Sequence, residues 1–243
     1  MAGRRAVAEL FAAGNREVLE LWVASDSDLT RVDSILQAAE RAGVMVREVG
    51  REALASRAGV ETHQGILAVA EPLRPTELAD LVVSRGEDGE EGKPLLLALD
   101  GVSDPHNVGA ILRSAESAGA TGAILPRHGG PAITPTVAKT AAGAIEHLPL
   151  ALVPRIPAAL ERLKNQGLWV VGLDSEGEEE LFDLPLLTEP LVLVLGSEGE
   201  GMSRLSASRC DVRVRIPRIG QTASLNVSAA AALACYEVLR ARR

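Results

Sequence analysis

The chain has 243 residues, enough to bury a substantial core in one or two domains, and its 47% hydrophobic content places it among globular proteins. No apolar run reaches the roughly 18 residues that a membrane span requires, and the opening Met1-Ala-Gly-Arg-Arg5 leads into an amphipathic stretch, not the apolar core of a signal peptide. A net charge of −8 argues superficially against a nucleic-acid partner, yet residues 71–92 alone hold 7 acidic and 2 basic side chains while residues 93–243 hold 16 and 15, so RNA is not excluded.

The first elements are a helical pattern near 4–13, an apolar strand at 18–24, a helix near 29–42 closed by Gly43, and strands at 44–49 and 65–70. Their alternation predicts a small α/β domain. The stretch Ser84 to Lys93 is rich in glycine and acid, lacks apolar periodicity, and reads as a solvated linker. These features divide the chain into residues 1–72, a linker at 73–92, and a second domain at 93–243. In that domain strands are expected at 95–100, 121–125, 149–153, 168–173, 191–196 and 211–216, and helices near 107–118, 136–142, 157–166, 202–208 and 224–241. Apolar strands separated by helices predict an α/β fold with a parallel sheet covered on both faces.

Three polar segments stand out, each following one of these strands: Asp104-Pro-His-Asn107-Val-Gly-Ala-Ile-Leu-Arg113, Leu195-Gly-Ser-Glu198-Gly-Glu-Gly201, and Ile216-Pro-Arg-Ile-Gly-Gln-Thr-Ala-Ser224-Leu-Asn226-Val-Ser228. Ligand sites in open α/β sheets gather at strand carboxyl ends, so three such ends on one sheet imply one site. In the first segment, Asp104 followed by Pro105 makes a helix start. A cap does not account for Asn107 or Arg113; the arginine lies on an otherwise apolar helix, where a paired anion is expected. In the second, the glycine spacing G-x-x-G-x-G reverses the dinucleotide fingerprint, and Glu198 and Glu200 would repel phosphate. A loop approaching a neutral or cationic ligand fits better, with Glu198 turned inward. In the third, Ser224 reads as an N-cap and Asn226 as a first-turn residue of poor helix propensity that serves contacts.

Several chemistries have no support. There is no P-loop, no G-x-S-x-G elbow and no H-E-x-x-H, and the four histidines make no metal site with Cys210 and Cys235. His106 and His147 read as solvent-facing or core residues. The two cysteines read as buried free thiols, which fits a cytoplasmic protein. An arginine cluster at Arg204, Arg209, Arg213, Arg215 and Arg218 offers positive charge to a partner, and with only 2% aromatic residues stacking platforms for bases are scarce.

Taken jointly and in this order, the three segments resemble the SpoU (TrmH) family of RNA ribose 2′-O-methyltransferases, in the SPOUT superfamily. The resemblance covers residues 93–243. His63-Gln64-Gly65-Ile66 is similar to the end of the small ribosomal-protein-like RNA-binding domain of one branch, which methylates a guanosine of 23S ribosomal RNA in the peptidyl-transferase loop. The resemblance implies a C-terminal trefoil knot, which connection rules would not suggest. It also implies S-adenosylmethionine as cofactor and a homodimer, while the residues themselves lead to the expectation of no membrane or metal partner. By motif position, Asn107, Arg113, Glu198, Ser224 and Asn226 correspond to the catalytic set, and Gly196, Gly201, Ile216 and Leu225 to positions lining the cofactor. One departure concerns Arg218, which stands where the family often has methionine. The alternatives are a transfer-RNA or other rRNA-loop 2′-O-methyltransferase and, in another class, a non-catalytic RNA-binding assembly factor.

Overall fold

The computed structural model describes residues 1–60, 62–82, 92–128, 133–220 and 224–243. In chain order the elements are α1 (Arg4–Ala13), β1 (Val18–Ala24), α2 (Asp33–Arg41), β2 (Met45–Val49), α3 (Arg51–Ala58), β3 (Ile66–Ala70) and β4 (Leu95–Asp100). There follow α4 (Pro105–Ser117), β5 (Gly122–Pro126), α5 (Pro135–Thr140), β6 (Leu150–Val153), α6 (Ile156–Asn165), β7 (Trp169–Leu173) and β8 (Glu179–Glu180). The chain closes with β9 (Leu191–Gly196), α7 (Arg204–Ala207), β10 (Val212–Arg215) and α8 (Val227–Ala241). Residues 83–91 of the expected linker and Gln221-Thr-Ala223 of the third segment lie outside the described residues, while Leu78 and Leu81, within the expected linker, are buried in the core of the sheet that carries β4 and β9.

The chain folds as two units: Met1–Arg74 with Ile133–His147, and Pro75–Ala132 with Leu148–Arg243. The first is built on a three-stranded sheet in the order β2-β1-β3, with β1 parallel to β2 and antiparallel to β3. Val7 and Leu10 of α1, Ile35 and Ala39 of α2, and Leu21, Val23, Ile66 and Ala68 of the sheet form one cluster, the helical spacing of three and four meeting the strand spacing of two. The helix expected over 29–42 is two pieces, a single 3-10 turn at Leu29–Arg31 and then α2, separated where Val32 takes φ −124°. Helix α3 was not anticipated because only Leu54 and Ala58 of its eight residues are buried, too few to show a period.

Residues 133–147, which the sequence division assigns to the second domain, pack in this first unit. Their anchor is Glu146, whose carboxylate is inaccessible to solvent and is gripped by the Arg16 guanidinium (Nε to Oε2, 2.9 Å), while Asn15 donates to the Glu146 carbonyl at 2.7 Å. A buried carboxylate without such a fork would cost several kcal/mol, roughly 3–5, if the arginine were removed.

The second unit carries a seven-stranded sheet in the order β6-β5-β4-β9-β7-β10-β8, every pairing parallel. Successive residues Leu95 to Leu99 and Leu191 to Leu195 are all buried, so both faces of the central strands are covered, as unbroken apolar runs require. Leu96, Ala98, Val192 and Val194 face α6 through Leu160 and Leu163, and α8 packs on α4 and β9. The chain runs from β4 outward through β5 and β6, then returns to build the sheet on β4's other side. That reversal opens a crevice at the carboxyl ends of the strands.

Candidate active site

At that end of the second unit, Asp104 caps α4 by accepting from the His106 amide at 3.0 Å, with Pro105 in the first turn. This start fixes the helix so that Asn107, 8% exposed, projects from its first turn. Strand β9 ends at Gly196, and the next residues fold into a tight turn in which Ser197 and Gly201 exchange backbone hydrogen bonds of 2.9 and 3.1 Å. A side chain at Gly196 is impossible without moving the turn, since a Cβ there would lie 2.1 Å from the Gly201 carbonyl carbon and 2.2 Å from the Met202 nitrogen. Gly199 and Gly201 supply the left-handed φ values, 88° and 71°, that close it. Helix α8 begins at Val227, capped by Asn226, whose Oδ1 accepts from the amides of Ser228 (2.9 Å) and Ala229 (3.4 Å).

These three elements meet in one hydrogen-bonded cluster. Asn226 Nδ2 donates to Glu198 Oε1 at 2.7 Å and to Asn107 Oδ1 at 3.0 Å, and Asn107 Nδ2 donates to Glu198 Oε1 at 3.1 Å. The ring uses the amide oxygen of Asn107, the amide nitrogens of both asparagines, and one carboxylate oxygen. Bonds to a charged acceptor are the stronger kind. Beside it lies a cavity of about 300 Å³, in the size range of small-molecule sites, lined among others by Gly196, Glu198, Ile216, Arg218, Ser224 and Leu225.

Of the expected residues, Asn107, Glu198 and Asn226 are therefore bonded together, and Gly196, Gly201, Ile216, Ser224 and Leu225 join Glu198 around the cavity. Two expectations need correcting. Ser224 is not the N-cap and Asn226 is not a first-turn residue: Asn226 itself is the cap, because its short side chain reaches back to two amides that the helix leaves unsatisfied. Arg113 is exposed and has no hydrogen-bond or ion-pair partner among the described residues, because it leaves α4 from the face opposite the buried Ile111, Leu112 and Ala115. The arginine cluster is largely spent internally: Arg209 pairs with Glu161, Arg213 with Asp174 and Glu178, and Arg215 with Glu180.

Asp174 and Ser175, just beyond β7, also line the cavity and were missed. They lie at a strand's carboxyl end, the rule that located the other three segments, and no glycine-rich motif advertised them.

A model of the SpoU rRNA Methylase family matches residues 94–236, and one described as RNA 2′-O ribose methyltransferase substrate binding matches residues 2–76. The chain belongs to the SpoU rRNA methylase family. Relatives of this SpoU chain include the 23S rRNA (guanosine-2′-O-)-methyltransferase RlmB of Ralstonia nicotianae, 40% identical over 100% of this chain and 95% of the relative. Another is the putative TrmH family tRNA/rRNA methyltransferase YacO of Bacillus subtilis, 38% identical over 99% and 94%. Among solved structures, the SpoU methyltransferase AviRb from Streptomyces viridochromogenes in complex with AdoMet shares the fold, with TM-score 0.82 and 23% identity over 100% of this chain and 89% of that one. A putative RNA methyltransferase of the TrmH family from Porphyromonas gingivalis gives TM-score 0.76 at 29% identity over 99% and 88%.

Proposed function

We propose that the protein methylates the ribose 2′-hydroxyl of a guanosine in 23S ribosomal RNA, in the peptidyl-transferase loop, using S-adenosylmethionine. The observation that carries the reading is the Asn107–Glu198–Asn226 ring set against a glycine-walled cavity at the sheet's carboxyl edge. The cavity fits the cofactor chemically. Leu173, Leu195, Val214, Ile216 and Val227 offer an apolar slot, the absence of side chains at Gly196, Gly199 and Gly201 allows close approach, and the Glu198 carboxylate suits a cation. S-adenosylmethionine supplies an electrophilic methyl group on a sulfonium.

The ribose hydroxyl is a weak acid that must be aligned with that methyl group and relieved of its proton. Alignment in a near-attack geometry can supply several kcal/mol of the barrier, up to about 7–11. No histidine or lysine stands in the ring to act as a general base. Arginine is a poor base because its guanidinium stays protonated. Arg113, exposed and without a partner among the described residues, instead anchors RNA phosphate and stabilises the developing alkoxide, and the proton leaves to phosphate or water. Asn107, Glu198 and Asn226 hold the loop and helix ends in register; Ser224 lies exposed at the rim, where it contacts ribose or cofactor. The first unit binds RNA.

The homodimer and the knotted C-terminal segment belong to this proposal. Leu233 and Tyr236, spaced by three on α8, are 42% and 50% exposed and present an apolar face for a second copy. No helix among the described residues is long and apolar enough to cross a membrane, and two unpaired thiols suit a reducing cytoplasm.

The test presents labelled S-adenosylmethionine and purified protein with unmodified 23S rRNA beside total tRNA, and separates nucleosides by mass spectrometry. Labelled 2′-O-methylguanosine from the ribosomal pool is expected. Label in tRNA alone overturns the target, and no label in any pool despite bound cofactor overturns the catalytic reading.

A further inference from the structure

A second cavity, of about 420 Å³, lies in the first unit and is lined by Arg4, Arg31, Arg51, Gln64, Asp26 and Asp28, with Ser27 and Val32 completing it. It lies among neither the catalytic ring nor the residues of the first cavity. Its two carboxylates are each engaged: Asp26 Oδ2 accepts from Arg51 Nε at 2.9 Å, and Asp28 pairs with Arg31 at 3.1 Å. The Arg4 guanidinium has no partner among the described residues. One positive charge is therefore left over, and three planar guanidinium forks border one opening.

Gln64 is held in place by a costly backbone. Its φ of 55° is a left-handed value that a residue with a β-carbon adopts at a cost of about 1–2 kcal/mol. Three features over-determine that conformation. The buried His63 accepts from the Gly65 amide through Nδ1 at 3.1 Å, so this nitrogen carries no proton; burial, foremost, pushes the His63 pKa down and keeps the ring neutral. Ala24 donates its amide to the Gly65 carbonyl at 2.9 Å. Gly65 itself takes a φ of 78°, and a Cβ there would displace the Ser27 hydroxyl, 2.2 Å away. The turn aims the Gln64 amide at the start of α1, where Oε1 accepts from the Arg4 nitrogen at 2.9 Å. Its amide nitrogen, Nε2, has no hydrogen-bond partner among the described residues, and Gln64 lines the cavity.

We infer that this cavity captures one nucleotide of the substrate RNA, with phosphate on the arginine forks led by Arg4 and a base edge or ribose hydroxyl on Gln64 and the aspartates. The mixed lining is the reason for choosing a nucleotide over a bare anion. Two carboxylates repel an isolated phosphate, whereas a ribonucleotide presents phosphate acceptors to arginine and hydroxyl or exocyclic amine donors to carboxylate and amide. The inference rests on the RNA-methyltransferase reading above and deepens it by assigning residues for substrate capture.

The experiment compares Arg4→Ala, Arg31→Ala and Arg74→Ala with the wild-type full-length protein, measuring affinity for a 23S rRNA fragment against salt and the methylation KM and kcat. Arg74 is 89% exposed and lines neither cavity, so it controls for loss of one positive charge. Loss of Arg4 is expected to weaken RNA binding about tenfold, raise KM with kcat little changed, and flatten the log–log salt dependence by about 0.7. Arg31→Ala is expected to act in the same direction and reads the same cavity should Arg4→Ala fail to fold. Losses no larger than that of Arg74→Ala in a wild type that methylates rRNA overturn this site and leave the reaction standing. A wild type that neither binds nor methylates rRNA overturns the reaction and the site with it.

Discussion

Replacing Asn226 by aspartate changes one NH2 for one oxygen and separates the two tasks of this residue. The capping role needs only the oxygen that accepts from Ser228 and Ala229, which aspartate keeps. The ring needs the nitrogen, which donates to Glu198 at 2.7 Å and to Asn107 at 3.0 Å. The substitution puts a second carboxylate where the donor was. Two unit charges at that separation repel by about 1.5 kcal/mol in a water-like dielectric and ~6 kcal/mol at an effective dielectric near 20. Because Glu198 is exposed, the lower figure governs. With two donated bonds also lost, at about 0.5–1.5 kcal/mol each, the expected destabilisation is about 2.5–4.5 kcal/mol. Asn226→Ser, which keeps a capping oxygen and adds no charge but loses the same two bonds, should cost about 1–3 kcal/mol. Urea denaturation of both variants gives the comparison. The aspartate variant carries a further signature, because two adjoining carboxylates share one proton and one pKa rises above the ordinary range. Its penalty accumulates as pH rises through that raised value and is relieved on acidification, so the gap between the variants should narrow from pH 8 towards pH 5. An aspartate variant as stable as wild type at pH 8, with undiminished methyl transfer, would refute the ring.

Gly196→Ala forces a Cβ against backbone at 2.1 and 2.2 Å, so the 197–201 turn must open; about 2–4 kcal/mol of stability should go, and calorimetry should find cofactor binding abolished. Arg113→Lys keeps charge and loses the planar fork; turnover should fall at least tenfold with cofactor affinity unchanged, and wild-type kcat would count against a geometric role. Burial, the leading cause, pushes the Cys210 thiol up to about 11 and the Cys235 thiol up to about 12, so at pH 8 a thiol reagent should label neither within minutes in the native protein and both in denaturant. The Glu237 carboxyl is held below its ordinary 4.5, chiefly by hydrogen bonds from Arg240. The stability it lends is present above 4.5 and lost as pH falls through the folded value, so Glu237→Gln should unfold with a flatter acid limb in circular dichroism.

The parallel sheet was legible because its strands are unbroken apolar runs: Leu95–Asp100 and Leu191–Gly196 were located to the residue. Strand β8 was not, since Glu179 and Glu180 are exposed and carry no apolar signal. Of the site, the segments following β4, β9 and β10 announced themselves through polar residues out of keeping with their surroundings. What the chain could not convey was pairing. Nothing at Glu161, Glu178 or Glu180 says that each would occupy an arginine of the apparent basic cluster, because those contacts join elements far apart in sequence. The packing of residues 133–147 was hidden for the same reason: Arg16 and Glu146 are 130 residues apart.

Helix α4 sets two residues of the first segment on different faces. Asn107 and Arg113 stand six residues apart, about 9 Å along the axis and roughly 120° around it. The first faces Glu198 and Asn226, and the second faces solvent. A rigid helix cannot turn both side chains toward one ligand, so the two serve different partners: Asn107 the loops that wall the cavity, Arg113 whatever approaches from outside. RNA is such a partner, and so is a second copy of the chain bringing RNA with it. The ring is closed by side chains of this chain alone, while Arg113, proposed above to steady the reacting oxygen, faces solvent. Both residues stand on α4, whose start is fixed by Asp104 and whose flank packs on α8, the helix that Asn226 caps.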